Sequence, residues 1–95
     1  MTKKLIRSGV GINPENCEVL STDEATRVAI QQIQNIQYDV DDAESILLSF
    51  ADMLELMKLV LKNRNIDPDN LFLAAQAVRE QRGNFDQKIA IQEQE

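Results

Sequence analysis

The sequence has no histidine, no tryptophan and only one cysteine, Cys17, among its 95 residues. Without His or a second Cys, an intrachain disulfide and a Cys-based zinc site are both excluded. No histidine is present to act as a base toward the Cys17 thiol, so a reactive thiol is not expected. We therefore interpret Cys17 as a small, half-buried structural residue.

Long apolar runs and an excess of positive charge are also missing. No apolar run approaches the ~20 residues of a membrane-spanning helix, and residues 1–7 lack the apolar core of a signal peptide. Ten Lys and Arg stand against 16 Asp and Glu, for a net charge of −6. An acidic chain without a basic stripe is a poor partner for nucleic-acid polymers, although small anions need only a few local cations. We expect a cytoplasmic protein that binds neither membranes nor nucleic acid.

The apolar content of the chain is mainly aliphatic, because 43% of the residues are hydrophobic and only 4% are aromatic. This composition suits helix packing. A chain of this length forms one domain, here 1–95, and buries roughly 60–65% of its unfolded surface. A lone helical hairpin would leave part of the apolar surface uncovered. We predict an all-α helical bundle that associates with itself as a homodimer or homotetramer.

Local signals predict three helices after an irregular segment, residues 1–20. Ser21-Thr22-Asp23-Glu24 fits a capping box that opens a first helix over 22–37. A second helix spans 42–63 after a polar turn, with Asp41 or Asp42 as its cap. Asp67 and Pro68 begin a third helix that Gly83 ends after Arg82. Residues 84–95 form a tail, in which Phe85, Ile89 and Ile91 are expected to pack on the bundle.

The second predicted helix is the most apolar element. Its polar side chains fall three, four or seven residues apart, so they occupy one narrow stripe: Ser45, Ser49, Asp52, Glu55 and Lys62. A helix that is apolar around most of its circumference has to be covered on several sides. The sequence therefore predicts a long, central second helix.

Polar groups also interrupt the apolar face of the first helix. At 100° per residue Gln32 falls inside the arc formed by the apolar side chains, and Asn35 lies on its flank. Antiparallel packing would set both opposite Ser49 and Asp52 of the second helix. A buried hydrogen-bond network that fixes helix register explains this pattern, and so do the remains of a ligand or metal site. The spacing alone leaves both interpretations open.

Four short segments follow one another in a characteristic order: Lys4-Leu5-Ile6-Arg7, Val19-Leu20-Ser21-Thr22-Asp23-Glu24, Phe50-Ala51-Asp52-Met53-Leu54-Glu55 and Arg82-Gly83-Asn84-Phe85-Asp86-Gln87-Lys88-Ile89. In order and spacing they resemble the MazG-like family of nucleoside triphosphate pyrophosphohydrolases, particularly its short branch similar to phosphoribosyl-ATP pyrophosphohydrolase. The resemblance spans nearly the whole chain. The stretch between Arg7 and Cys17 is shorter than usual and departs from the family's sequence.

The resemblance implies a metal site from which most ligands are gone. In that family a Glu-Glu-x-x-Glu run and a Glu-x-x-Asp run hold Mg²⁺ beside the triphosphate. These runs fall here on Gln31-Gln32-Ile33-Gln34-Asn35 and Ser49-Phe50-Ala51-Asp52. Only Asp52 keeps a carboxylate, and neutral Gln32, Asn35 and Ser49 are poor Mg²⁺ ligands. They tolerate a phosphate better, and they can donate hydrogen bonds to it.

Basic residues complete the candidate site. The resemblance places Arg79, Arg82 and Lys88 where the family's closing segment approaches the phosphates, and Lys4 and Arg7 are further candidates. Arg binds phosphate in a planar fork and Lys as a point charge. The alternative explanation is a solvent-exposed basic patch that pairs with acidic residues on the surface.

These observations predict a protein that binds a nucleotide or related phosphorylated ligand, to sequester or sense it, with little or no hydrolysis. The candidate ligand-binding residues are Gln32, Asn35, Ser49, Asp52, Arg79, Arg82 and Lys88, and no catalytic residue or cofactor is assigned. One alternative is an active pyrophosphohydrolase, which would need Mg²⁺ at Asp52, with Glu55 and displaced acids. Asp39, Asp41, Asp42 and Glu44 are the nearby acids, although caps and solvated charge explain them more simply. The other alternative is a non-catalytic oligomeric interaction module.

Overall fold

The computed structural model describes residues 3–7 and 17–92, and all regular structure within these ranges is helical. Three helices follow in chain order: α1 (Thr22–Asn35), α2 (Ala43–Asn63) and α3 (Asp69–Arg82). The predicted all-α class is confirmed, and each helix lies close to its predicted range. No helix among the described residues combines the length and hydrophobicity that a membrane crossing requires.

The start of α1 follows the predicted capping signal. The Ser21 hydroxyl accepts a hydrogen bond from the Glu24 N–H at 3.2 Å, which satisfies one of the free donors of the first turn. The Glu24 carboxylate pairs with Lys3 at 2.6 Å. The helix ends at Asn35, two residues before its predicted end, because Ile36 adopts an extended conformation and its N–H bonds to the Ile33 carbonyl.

The acids between α1 and α2 organise the turn, as the simpler interpretation predicted. Asp42 caps α2 by accepting from the Glu44 N–H at 3.0 Å. Earlier in the turn, the Asp39 carboxylate accepts a hydrogen bond from the Asp41 N–H at 3.0 Å. The Asp39 N–H in turn donates to the Ser45 hydroxyl at 3.1 Å. These local hydrogen bonds fix the chain reversal that starts α2.

Backbone geometry separates α2 from α3 and ends α3. Asn65 has φ 61°, and the Ile66 N–H reaches back to the Leu61 carbonyl at 2.9 Å, the arrangement of a left-handed helix stop. The Asp67 carboxylate then accepts from the Asp69 N–H at 3.0 Å. Gly83 ends α3 at φ 84° and ψ −167°, a region that is essentially restricted to glycine.

Helices α1 and α2 pack against each other in antiparallel fashion. The Asn63 side chain, at the end of α2, donates to the Thr26 hydroxyl at 2.9 Å and to the Thr22 carbonyl at 3.4 Å, both near the start of α1. Thr26 is buried, and Ala29 one turn later is fully buried. These small side chains allow the two helices to approach closely.

The third helix and the tail lie away from this hairpin. Helix α3 packs against neither α1 nor α2. The predicted packing of the tail is wrong, because Phe85, Ile89 and Ile91 are 95%, 77% and 85% exposed. Helix α3, from which the tail continues, also keeps Phe72 and Leu73 58% and 64% exposed, so the tail does not cover them. Helix α2, expected to be covered on several sides, also has no fully buried residue within one chain.

Enlarging Ala29 tests the close contact of the two helices. We expect Ala29→Leu to destabilise the protein by about 1–3 kcal/mol, because the site has no room for a larger side chain. Gln34→Leu adds a leucine to the exposed side of the same helix and serves as the matched control. Urea unfolding at one fixed protein concentration measures both variants. Equal midpoints for Ala29→Leu and Gln34→Leu would contradict the packing described here.

Candidate functional site

An open cleft of about 1140 Å³ lies between residues 3–7, the second half of α1 and the polar stripe of α2. This volume is slightly above the usual range for small-molecule sites, about 300–1,000 Å³. Polar and charged side chains occupy much of the wall: Lys3, Lys4, Arg7, Gln31, Gln32, Asn35, Gln37, Ser49, Asp52 and Glu55. Leu5, Ile6, Ile36, Leu56 and Leu59 supply the apolar part.

The structure brings together the four residues that the helical-wheel argument selected. Gln32 and Asn35, three residues apart on α1, share this cleft with Ser49 and Asp52, three residues apart on α2. Spacing of three places each pair on one helix face, and antiparallel packing turns the two faces toward each other. Their joint location follows from the sequence. Their role in binding a ligand stays a prediction.

Gln32 holds the N-terminal segment against α1. Its Oε1 atom accepts a hydrogen bond from the Leu5 N–H at 2.9 Å, and its Nε2 atom donates to the Leu5 carbonyl at 3.1 Å. One side-chain amide therefore pairs with both backbone groups of a residue 27 positions away. Gln32 thus bonds to the backbone of Leu5 and not to Ser49 or Asp52, so it shapes one wall of the cleft.

Three ion pairs fix the two ends of the same segment. The Arg7 guanidinium pairs with the Asp52 carboxylate across the cleft. Lys3 pairs with Glu24 at 2.6 Å and with Glu18 at 2.9 Å. The hydrogen bond to Glu24 and, to a smaller extent, the one to Glu18 raise the pKa of Lys3 above its ordinary value of 10.5. Lys3 therefore stays charged at every physiological pH.

The cleft is less acidic than the rest of the protein. Three cations, Lys3, Lys4 and Arg7, face two carboxylates, Asp52 and Glu55, whereas the whole chain has a net charge of −6. The cations all come from residues 3–7, but Lys3 also pairs with Glu18 and Glu24 outside the cleft, so the charges around the cleft nearly balance. An anion therefore meets less repulsion here than the net charge of the chain would suggest.

The cations expected from α3 and the tail lie elsewhere. Arg79 and Arg82 belong to the last turn of α3, and Lys88 lies in the exposed tail, where it has φ 61°. None of the three lines the cleft. Lys4 and Arg7, the secondary candidates, are the cations that the structure places beside Gln32, Asn35, Ser49 and Asp52.

Few groups in the cleft are suited to hold a metal ion. Asp52 and Glu55 are its carboxylates, and Arg7 already pairs with Asp52. Across residues 3–7 and 17–92, no three acidic, His or Cys side chains converge into a metal-binding group. Displaced acids do not supply one, since Asp39 and Asp42 each bond to a backbone N–H of the turn.

The role of Leu5 was missed by reasoning from sequence. A signal for it existed, because Gln32 lies in an apolar arc and its amide requires both a donor and an acceptor. Helical backbone has few such groups free, whereas a non-helical segment offers an N–H and a carbonyl on each residue. Nothing in the sequence pattern identified which residue would supply them.

Comparison with protein-family models, curated proteins and solved structures finds no match to this chain. The resemblance to MazG-like pyrophosphohydrolases therefore remains a prediction from its motifs, and the site has to be argued from its own geometry.

Replacing Gln32 tests whether its amide holds the N-terminal segment. Gln32→Met keeps the length of the side chain but removes both hydrogen bonds to Leu5. Net hydrogen bonds are each worth about 1 kcal/mol, so we expect amide hydrogen exchange at Leu5 to accelerate about 10-fold or more.

Gln31→Met is the matched control, because Gln31 lines the same cleft without a hydrogen bond to the segment. Trypsin cleavage after Lys4 and Arg7 should accelerate in the Gln32 variant and not in the Gln31 variant. Equal exchange at Leu5 in the two variants would show that the amide does not hold the segment.

Proposed function

We propose that this protein binds a nucleotide or a related phosphorylated ligand in the cleft between residues 3–7, α1 and α2, with little or no hydrolysis. The observation that supports this most directly is the meeting of neutral hydrogen-bonding side chains with N-terminal cations in one cleft. Such a set suits a phosphate without a bridging metal.

Several groups of the cleft are available to a ligand. Within the described part of the chain, the side chains of Asn35 and Ser49 make no hydrogen bond, and Lys4 forms no ion pair. An amide N–H, a hydroxyl and an ammonium group are all donors to phosphate oxygens. The apolar part of the wall, with Leu56 and Leu59, offers a surface for a base or sugar.

The Arg7–Asp52 ion pair weakens the affinity of the cleft for an anion. Arg7 is a strong phosphate donor, but Asp52 now occupies its guanidinium. A phosphate that approaches Arg7 must displace this carboxylate or lie beside it, and the carboxylate repels it. Asp52 therefore opposes a metal-free phosphate, whereas a hydrolase would require Asp52 as a metal ligand.

Binding without divalent metal is the first test. We expect isothermal titration calorimetry with ATP in EDTA to show binding, and ADP and pyrophosphate to report the contribution of the phosphates. Arg7→Ala should weaken ATP binding about 10-fold, because it removes a charge-assisted hydrogen bond. Lys62→Ala, which removes an exposed cation from the end of α2, is the matched control and should leave binding unchanged.

Asp52→Asn distinguishes a protein that binds ATP without metal from a metal-dependent hydrolase. If the protein binds ATP without metal, the substitution should strengthen ATP binding about 2–5-fold, because it releases Arg7 from an exposed ion pair. Asn35→Glu adds a negative charge to the cleft and should weaken ATP binding.

A screen of mono-, di-, tri- and cyclic nucleotides tests the proposal as a whole. If none binds while the protein stays folded, the alternative of a non-catalytic oligomeric interaction module replaces the ligand-binding proposal.

Hydrolysis is tested separately with Mg²⁺ or Mn²⁺. We expect release of pyrophosphate from the common nucleoside triphosphates to be undetectable or very slow, because the cleft has too few carboxylates to hold metal beside a triphosphate. Coupled detection of pyrophosphate measures it. Turnover near ~1 s⁻¹ that disappears in Asp52→Asn would instead establish an active pyrophosphohydrolase.

A further inference from the structure

Helix α2 carries an apolar stripe that its own chain covers only in part, since Leu54 and Leu61 are half-buried and the other members are exposed. Its members alternate in spacings of three and four residues: Leu47, Phe50, Leu54, Met57 and Leu61. We call these five residues the α2 seam. Alternation of three and four over two heptads is the pattern by which helices pack side by side with interlocking side chains.

The α2 seam faces away from the cleft. At 100° per residue it is centred roughly 170° from the cleft-lining side chains of α2, which include Ser49, Asp52 and Leu56. Leu47, Phe50 and Met57 are 69%, 49% and 36% exposed. The rings of Tyr38 and Phe50 pack edge to face with centroids 5.4 Å apart, so the same chain covers part of Phe50. Because the seam and the cleft lie on opposite sides of α2, a partner on the seam leaves the cleft open.

The charges of α2 are distributed unequally along its length. Its first turn is acidic, with Asp42 as cap and Glu44 behind it, and Lys62 lies in its last turn. Lys58 and Arg64 add to the basic end. The acidic residues lie at the positive N-terminal end of the helix dipole and the basic residues at its negative C-terminal end, so both stabilise α2 itself. They also distinguish between the possible orientations of a neighbouring copy.

We propose that two copies of this chain pack through the α2 seam in antiparallel orientation, with Leu54 at the two-fold axis. In this register Leu47 meets Leu61 of the second copy, and Phe50 meets its Met57. Glu44 comes beside Arg64 of the second copy at both ends. A parallel pair would instead align acidic with acidic ends and Lys58 with Lys58, which is unfavourable.

A second copy of the chain fits the distribution of charge along α2. Its seam is identical, and the antiparallel orientation brings the acidic first turn of one α2 beside the basic last turn of the other.

The first experiment places a charge on the α2 seam and, in a control variant, the same charge on another side of α2. Leu54→Asp brings two carboxylates together at the axis and should raise the dimer dissociation constant by on the order of 100-fold or more. Leu48→Asp makes the same change at a residue that is 58% exposed and lies off the seam. Analytical ultracentrifugation should show that the Leu48 variant still dimerises.

The second experiment measures the register and does not depend on a disruptive variant. In a Cys17→Ser background, Leu47→Cys and Leu61→Cys proteins are oxidised separately and after mixing. In the antiparallel register two copies of residue 47 lie 14 residues apart, roughly 21 Å along the helix. Each variant alone should therefore form no disulfide dimer, and the mixture should form one.

Self-crosslinking of Leu47→Cys alone would overturn the antiparallel register, and a monomer at high micromolar concentration would overturn the proposal as a whole. Equal dimerisation of the wild-type and Leu54→Asp proteins would show that another surface is used. These outcomes are independent of ligand binding, because the seam and the cleft lie on opposite sides of α2.

Discussion

The close approach of α1 and α2 at Ala29 and Thr26 sets the position of the cleft. Small side chains at this contact bring the polar faces of the two helices within reach of one another, and the hydrogen bonds from Asn63 keep the helices in register. Beyond this contact, toward the end of α1 and the start of α2, the facing sides of the two helices carry the polar residues that line the cleft. A shift of register by one turn would separate Asn35 and Gln32 from Ser49 and Asp52.

The N-terminal segment converts this groove between helices into a cleft with a distinct charge. Gln32 fixes the backbone of Leu5, and as a result Lys4 and Arg7 are brought to a wall that the helices alone would leave neutral or acidic. The amide at position 32 thus holds the cations of the proposed anion site in place, and both of its polar atoms are already hydrogen-bonded to Leu5.

Much of the helix pattern followed from the sequence because its signals are local. Ser21, Asp42, Asp67 and Gly83 each act on the backbone within four residues, so the starts and ends of the helices could be predicted closely. The joint location of Gln32, Asn35, Ser49 and Asp52 followed from helical spacing plus antiparallel packing. The pairing of Gln32 with Leu5 and the exposed position of Phe85 depend on contacts distant in sequence, which periodicity does not encode.

The separation of 27 positions between Leu5 and Gln32 also bears on the order in which the contacts of the cleft can form. Helices α1 and α2 are joined by seven residues, 36–42, so their pairing closes a short loop and can form early. The two hydrogen bonds between Gln32 and the backbone of Leu5 can form only after α1 has formed. Of the parts of the cleft this segment is synthesised first, but the helix face that holds it is synthesised later.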